Sequence, residues 1–312
     1  MKINIRKFLP LLGILIFIYV IYHVGFDKLA KTLPTVQWNY VLLSVILALI
    51  IIVVQAWKWD LILHRQQIYL PFSYILKVHL ISSFYGNITP GRIGTFSKIF
   101  YLKEKTKKDI GACISSVTLE RFFDLFTVAF FAFLGSIMAL KYFNGIFLQS
   151  LILFLVLIVI LLLSLHEPTR NFFIWRVFYF LVPRRFKDRA RSSFEAFHAT
   201  LLRPQQVIVP IIVTILTWFG LYLQMYLIAL ALNINVPILP FIFISSIATI
   251  VTLIPITIGG IGTSELAITV LFNKVFAVDP AVALSLALIN RVIGLIGTVI
   301  GGILSMREEK YF

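Results

Sequence analysis

Charge is what this sequence has least of. Of its 312 residues, 13% are Asp, Glu, Lys or Arg, about half the share of an ordinary soluble domain. That scarcity excludes a disordered chain, which needs high charge and low hydrophobicity. Apolar residues make up 60% and the mean hydropathy is +0.98. No water-soluble fold of this length hides that much apolar surface, so a cytosolic enzyme is excluded as well. Cysteine is nearly absent. Cys113 stands alone, which rules out a disulfide framework and an all-cysteine metal site. His23, His64, His79, His166 and His198 are scattered without metal-ligand spacing, so no metal and no cofactor are expected. Walker and dinucleotide glycine patterns are missing, as is a serine in a nucleophile elbow. Acidic residues number 13 against 28 basic ones, a net charge of +15. In a chain this apolar the excess points to membrane topology and anionic headgroups rather than to nucleic acid.

What is present is length without charge. Residues 8–24, 39–57 and 146–165 carry none, and neither do the 61 residues from 204 to 264. A spanning helix needs about 20 predominantly apolar residues, so the last stretch holds more than one crossing. The first segment follows Lys2, Arg6 and Lys7 and lacks a small-residue cleavage site; it reads as a retained span. The pattern predicts an all-α integral membrane protein, a single multi-span helical bundle over 1–312. Spans are expected at 8–24, 39–57, 111–140, 146–165, 207–232 and 281–305, with hairpins at 73–102 and 238–278. Each hairpin carries a Pro/Gly cluster at its centre: Pro90, Gly91 and Gly94 in the first, Pro255, Gly259, Gly260 and Gly262 in the second. Proline removes a donor and glycine loosens a helix. Broken backbone at membrane depth is tolerated only inside protein or beside a wet cavity, so both hairpins are expected to be re-entrant. Asn87-Ile88-Thr89 matches a glycosylation site by chance, in a hairpin that opens from the cytoplasm.

With the N-terminus inside, 22 of the 28 Lys and Arg fall on the cytoplasmic side and 4 outside, while Arg121 and Arg291 lie within spans. That bias places both termini in the cytoplasm, and it holds if either hairpin crosses fully. The basic loop 166–206 interleaves Phe172, Phe173, Trp175, Phe178 and Phe180 with Arg170, Arg176, Arg184 and Arg185. It reads as an interfacial helix on anionic headgroups. It has no nucleic-acid module, and no nucleic-acid partner is expected.

Two short matches mark an internal repeat. Gly91-Arg92-Ile93-Gly94-Thr95 parallels Gly259-Gly260-Ile261-Gly262-Thr263, and Glu120-Arg121 parallels Asn290-Arg291 at nearly the same offset. The topology puts the two copies in opposite orientations, approximately 8–140 and 146–306, with the basic loop inside the second. Inverted repeats with broken helices are a transporter architecture. Arg121 lies eleven residues past Ile110 and Arg291 eleven past Pro280, roughly 16 Å along a helix and so near the middle of a core about 30 Å thick. An arginine there costs at least about 2.5–3.5 kcal/mol and must face a cavity or a partner. Asp124 can pair with Arg121 at i+3 and shares a face with Glu120, so both acids are expected to hold Arg121 when the site is empty; Glu265, just past the second glycine cluster, is the expected partner of Arg291. Arg92, Arg121 and Arg291 thus balance Glu120, Asp124 and Glu265.

Such a set either pairs off as structural glue or lines a substrate pathway. The hairpins favour the pathway. Thr95-Phe96-Ser97 and Thr263-Ser264-Glu265 are helix-start signatures that would aim free N–H groups at the membrane interior. With forked guanidinium donors nearby, the expected occupant is a lipid phosphate held by Arg92, Arg121, Arg291, Thr95 and Thr263.

Asn87…Pro90-Gly91-Arg92…Gly94, Glu120-Arg121…Asp124, Pro255…Gly259-Gly260…Gly262…Glu265 and Arg291 resemble the lysylphosphatidylglycerol synthase transmembrane-region family, also called the flippase-like domain, over nearly the whole chain. The resemblance implies a membrane region that translocates an aminoacylated lipid made by a separate C-terminal domain. No such domain is expected here, since the sequence ends at Phe312. Other members are associated with lipid-linked glycan pathways. The second hairpin departs from symmetry, with Gly260 where the first has Arg92. The expected function is a flippase-like protein of the cell membrane, binding or translocating a phosphate-headed lipid, anionic or aminoacylated, with membrane lipids as partners and a homo-oligomer left open. The alternatives are an integral-membrane headgroup transferase and an accessory subunit in lipid-linked glycan assembly. Topology gives a direct check: cysteines introduced at 105 or 189 should resist an impermeant thiol reagent added to intact cells, and one at 141 should react.

Overall fold

The computed structural model describes residues 9–106, 108–142, 144–165 and 204–307. The aromatic and arginine-rich part of the basic loop lies outside them. The described residues form an all-α bundle: α1 (Leu9–Val24), α2 (Phe26–Thr32), α3 (Trp38–Arg65), α4 (Phe72–Asn87), α5 (Lys98–Lys105), α6 (Ile110–Ala139), α7 (Asn144–Leu165), α8 (Pro204–Ala231), α9 (Ile238–Leu253), α10 (Thr263–Phe276) and α11 (Pro280–Met306). Four of these, α3, α6, α8 and α11, are long and apolar enough to cross a bilayer.

The Pro/Gly clusters end helices as their chemistry requires. α4 stops at Asn87 and α9 at Leu253, and the chain resumes as a 3₁₀ turn over Ile93–Ser97 and as α10 at Thr263. The two interruptions face each other, and Pro90 and Ile258 form an antiparallel bridge between them.

Helix α3 differs from its expected span. It runs through Trp57 to Arg65, because Lys58 is not a boundary charge: it is buried and paired with Asp124 of α6. Lys98 is likewise buried, paired with Glu120. The positive-inside count includes both, and the structure moves them to the interior.

The helix ends repeat a local design. Gln67 closes α3 and Asn233 closes α8, each at positive φ (56° and 57°). The N–H of Ile68 then reaches the carbonyl of Leu63, and that of Ile234 the carbonyl of Ala229, the six-to-one bond of a Schellman cap. Four residues past each left-handed residue a proline, Pro71 or Pro237, starts a helix of 16 residues. Asp109 and Asp279 cap α6 and α11 by accepting the N–H of Gly111 and Ala281.

Packing follows the same pairing. α3 and α8 run antiparallel, with the Gln37 N–H donating to the Ala231 carbonyl and the Gln224 amide to the Ser44 hydroxyl. α4 packs on α11 and α9 on α6. Both crossings depend on a residue without a side chain: a Cβ on Gly301 would meet the Leu80 carbonyl oxygen at 2.1 Å, and one on Gly135 the Phe243 carbonyl oxygen at 2.2 Å. Small residues let helix backbones approach this closely. An apolar window of α6 is 56% buried, against 17% for α3; α6 is therefore a central helix, while α3 turns Leu42, Leu43, Ile46 and Ile50 outward.

The crossings generate a paired expectation. Gly301→Ala should destabilise the purified protein by about 1–3 kcal/mol, the cost of overpacking. Gly294→Ala on the same helix, with nothing within 4 Å of its new Cβ, should leave stability unchanged or raise it by up to about 1 kcal/mol. Thermal unfolding in detergent distinguishes the two.

Candidate functional site

Between the two helix interruptions and the middles of α3, α6, α8 and α11 lies a cavity of about 410 Å³. Its charged lining comprises Lys58, Arg92, Glu120, Arg121, Asp124 and Arg291. Lys98 and Glu265 stand directly behind as partners of lining groups.

The first hairpin forms one wall. Gly91 and Arg92 both sit at positive φ, 60° and 56°. Gly259 and Gly260 hold the same pair of conformations in the second hairpin, at 57° and 69°. A left-handed conformation costs a residue with a Cβ about 1–2 kcal/mol, so Arg92 occupies a position that glycine would fill without strain. The turn is fixed from below: the Thr89 hydroxyl accepts the Gly94 N–H at 2.7 Å, and the Arg92 carbonyl accepts both the Thr95 hydroxyl and its N–H. The Arg92 side chain is exposed to the cavity and makes no hydrogen bond or ion pair with any described residue.

The second hairpin is clamped by Arg291. Its guanidinium donates to the carbonyls of Gly259 and Gly260, to the Ser264 hydroxyl and to both oxygens of Glu265. Glu265, fully buried, also accepts the N–H of Gly262 at 2.8 Å and so caps its own helix.

On α6 the acids are committed elsewhere. The Lys98 ammonium donates to both oxygens of Glu120 at 2.7 and 2.9 Å and lies 4.3 Å from the centre of the Trp59 ring, a cation–π contact. Asp124 accepts from Lys58 and from the Trp218 indole at 3.0 Å. Arg121 reaches Asp124 only at 3.8 Å, and its Nε is buried without a partner among the described residues.

Several sequence expectations change here. Glu120 does not serve Arg121; Lys98 takes both its oxygens. Thr95 and Thr263 are buried, and their hydroxyls close turns, Thr95 on the Arg92 carbonyl and Thr263 on the Gly260 carbonyl beside Thr257. They build the hairpins, and the N–H groups of Gly94 and Gly262 are taken by Thr89 and Glu265 rather than left open. The expected charge balance also fails. With Lys58 and Lys98 the cluster holds five cations against three anions. The omitted lysines had a helical signal: Lys58 shares a face with the buried Ile51 and Ile62, and Lys98 with the buried Tyr101 and Leu102.

Residues 8–302 match the family model described as the lysylphosphatidylglycerol synthase TM region. The chain belongs to that family. It is 23% identical to a UPF0104 membrane protein of Pyrococcus horikoshii, with 98% of each chain covered. It is 24% identical to one from Methanocaldococcus jannaschii, with 98% of this chain and 96% of that protein covered. A relative from Methanothermobacter thermautotrophicus is 24% identical over 91% of this chain and 90% of its own length. The chain is thus a multi-pass membrane protein of the lysylphosphatidylglycerol synthase TM region family.

The Lys98–Glu120 pair allows a sharp check on the family scaffold. Breaking a buried pair strands a charge and costs about 3–5 kcal/mol, whereas replacing both partners by apolar groups can be near neutral. Glu120→Gln should therefore lower stability by about that amount, and Lys98→Met combined with Glu120→Leu should recover most of it, read as melting temperature in detergent.

Proposed function

We propose that the protein binds a phosphate-headed lipid in the central cavity and moves it between leaflets. The observation that carries this reading is the surplus of positive charge at the meeting point of two broken helices. Among the described residues, five cationic groups line or back the cavity with three carboxylates, Arg92 makes no bond to any of them and Arg121 is only loosely held. Charge in a membrane interior is costly and marks ion or substrate pathways. A cationic surplus calls for an anion, and the guanidinium fork suits phosphate.

The helix arrangement supports alternating access. α3, α4 and α6 have counterparts of matching ends in α8, α9 and α11. Arg121 and Arg291 each lie twelve residues beyond an aspartate cap, and α4 and α9 pack on the long helix of the opposite half. In this reading the two halves are inverted repeats entered from opposite faces of the cell membrane, with both termini cytoplasmic as the positive-inside bias proposes. In this reading Arg291 holds the second hairpin in shape, and Arg92 with Arg121 receives the headgroup. Glu120 and Asp124 in the cavity lining and Glu265 behind it are all paired with cations, which leaves them poorly suited to act as the base of a headgroup transferase.

The test is reconstitution of the purified protein in liposomes with a panel of fluorescent lipids, followed by quenching of the outer leaflet. The wild-type protein should expose inner-leaflet phospholipid to quencher well above protein-free vesicles. Arg92→Gly should remove that activity while keeping or raising thermal stability, because glycine accepts the left-handed turn. Full activity in Arg92→Gly, or no lipid in the panel moving, would contradict the reading.

A further inference from the structure

The cavity's charge says more about the headgroup than that it contains phosphate. We infer that the site selects a headgroup with close to two negative charges and no amine, that is, a phosphomonoester or a diphosphate. This rests on the reading of the cavity as a lipid site and narrows it to a substrate class.

Three observations carry the inference. First, the imbalance is two positive charges among the described residues: Lys58, Arg92, Lys98, Arg121 and Arg291 against Glu120, Asp124 and Glu265. A phosphodiester headgroup brings one negative charge and leaves the other unmatched. A terminal phosphomonoester, with a second ionisation near pH 6, brings close to two at neutral pH. Second, the two least committed cations face the same space. Among the described residues Arg92 has no hydrogen-bond or ion-pair partner and the buried Nε of Arg121 is unbonded, so the available hydrogen-bonding capacity comes from guanidinium groups, which bind phosphate oxygens in pairs. Third, the carboxylates are spent. Glu120 is held by Lys98 through both oxygens, Asp124 by Lys58 and the Trp218 indole, and Glu265 by Arg291 and the Gly262 N–H. An ammonium on the headgroup would enter a cationic cavity and find no free acid to meet it. A lysyl ester of phosphatidylglycerol would add positive charge where the site already has too much. The same chemistry would recognise a soluble phosphate ester, so the source must be separated by experiment.

Trp218 lines the cavity and Trp59 packs under Lys98, so intrinsic fluorescence reports on the site. The full-length protein in phosphatidylcholine micelles at pH 8 is titrated with phosphatidate, phosphatidylglycerol, lysyl-phosphatidylglycerol and glycerol 3-phosphate. Phosphatidate should bind at least tenfold more tightly than phosphatidylglycerol, and lysyl-phosphatidylglycerol should bind weakest of the lipids. Arg92→Gly, which relieves backbone strain and so keeps the fold, should weaken phosphatidate by tenfold or more, and phosphatidylglycerol by less, so that the preference between them narrows. Equal binding of phosphatidate and phosphatidylglycerol, or tightest binding of the lysyl lipid, would overturn the inference and leave lipid translocation standing. Glycerol 3-phosphate binding as tightly as phosphatidate would keep the charge assignment and overturn the lipid reading instead. Unchanged selectivity in Arg92→Gly would overturn the role given to that residue and with it the inference.

Discussion

Enclosing ionised groups in an apolar medium is the constraint around which this molecule is organised. The chain carries few charges, yet eight of them, five basic and three acidic, converge where its two broken helices meet. In a region of low dielectric each unpaired charge is expensive, and the architecture accordingly spends its carboxylates one by one. Glu120 neutralises Lys98, Asp124 neutralises Lys58, and Glu265 neutralises Arg291 while capping its own helix. What is left over is cationic, and it is concentrated on the two groups with the least to hold them, Arg92 and Arg121.

The hairpins translate that electrostatic arrangement into position. Each is a helix brought to a stop by proline and glycine, then turned through consecutive left-handed residues. In the second hairpin glycine takes both, and Arg291 ties the freed carbonyls of Gly259 and Gly260 from a neighbouring helix. In the first hairpin one of the two is an arginine. Strained backbone of this kind persists when the surroundings impose it and clusters where a group must be presented. The two tips also touch, Pro90 against Ile258 and Gly259 against the Asn87 carbonyl. That contact is where the proposed alternating mechanism would couple one tip to the other.

Much of this was legible in the sequence. The uncharged runs located the long helices, and the Pro/Gly clusters located both interruptions within a few residues. The phase of Arg121 and Arg291 along their helices, and the partnership of Arg291 with Glu265, followed from spacing. The misreadings share a cause. Lys58 and Lys98 read as cytoplasmic charges because a basic residue at the edge of an apolar run usually faces water; only three-dimensional packing shows that an acid on α6 waits for each. Once those lysines are inside, Glu120 has a better partner than Arg121, and the balance tips. For Thr95 and Thr263, a hydroxyl at a helix start reads as a donor to a ligand; in a turn this tight their nearest acceptors are carbonyls of the turn itself. The repeated aspartate caps, Asp109 and Asp279, and the left-handed Gln67 and Asn233 were readable at near-constant offset, but they stand in connecting segments that carry no apolar period to draw attention to them.

The central claim is that uncompensated positive charge at the meeting of the hairpins retains an anionic lipid. Native mass spectrometry of the protein released from detergent after exposure to a mixture of anionic and zwitterionic lipids measures this directly. Adducts on the wild-type protein should be dominated by anionic lipid, and that enrichment should be lost when Arg92→Gly and Arg121→Gln are combined. Equal retention of anionic and zwitterionic lipid by the wild type, or an enrichment that survives both substitutions, would contradict it.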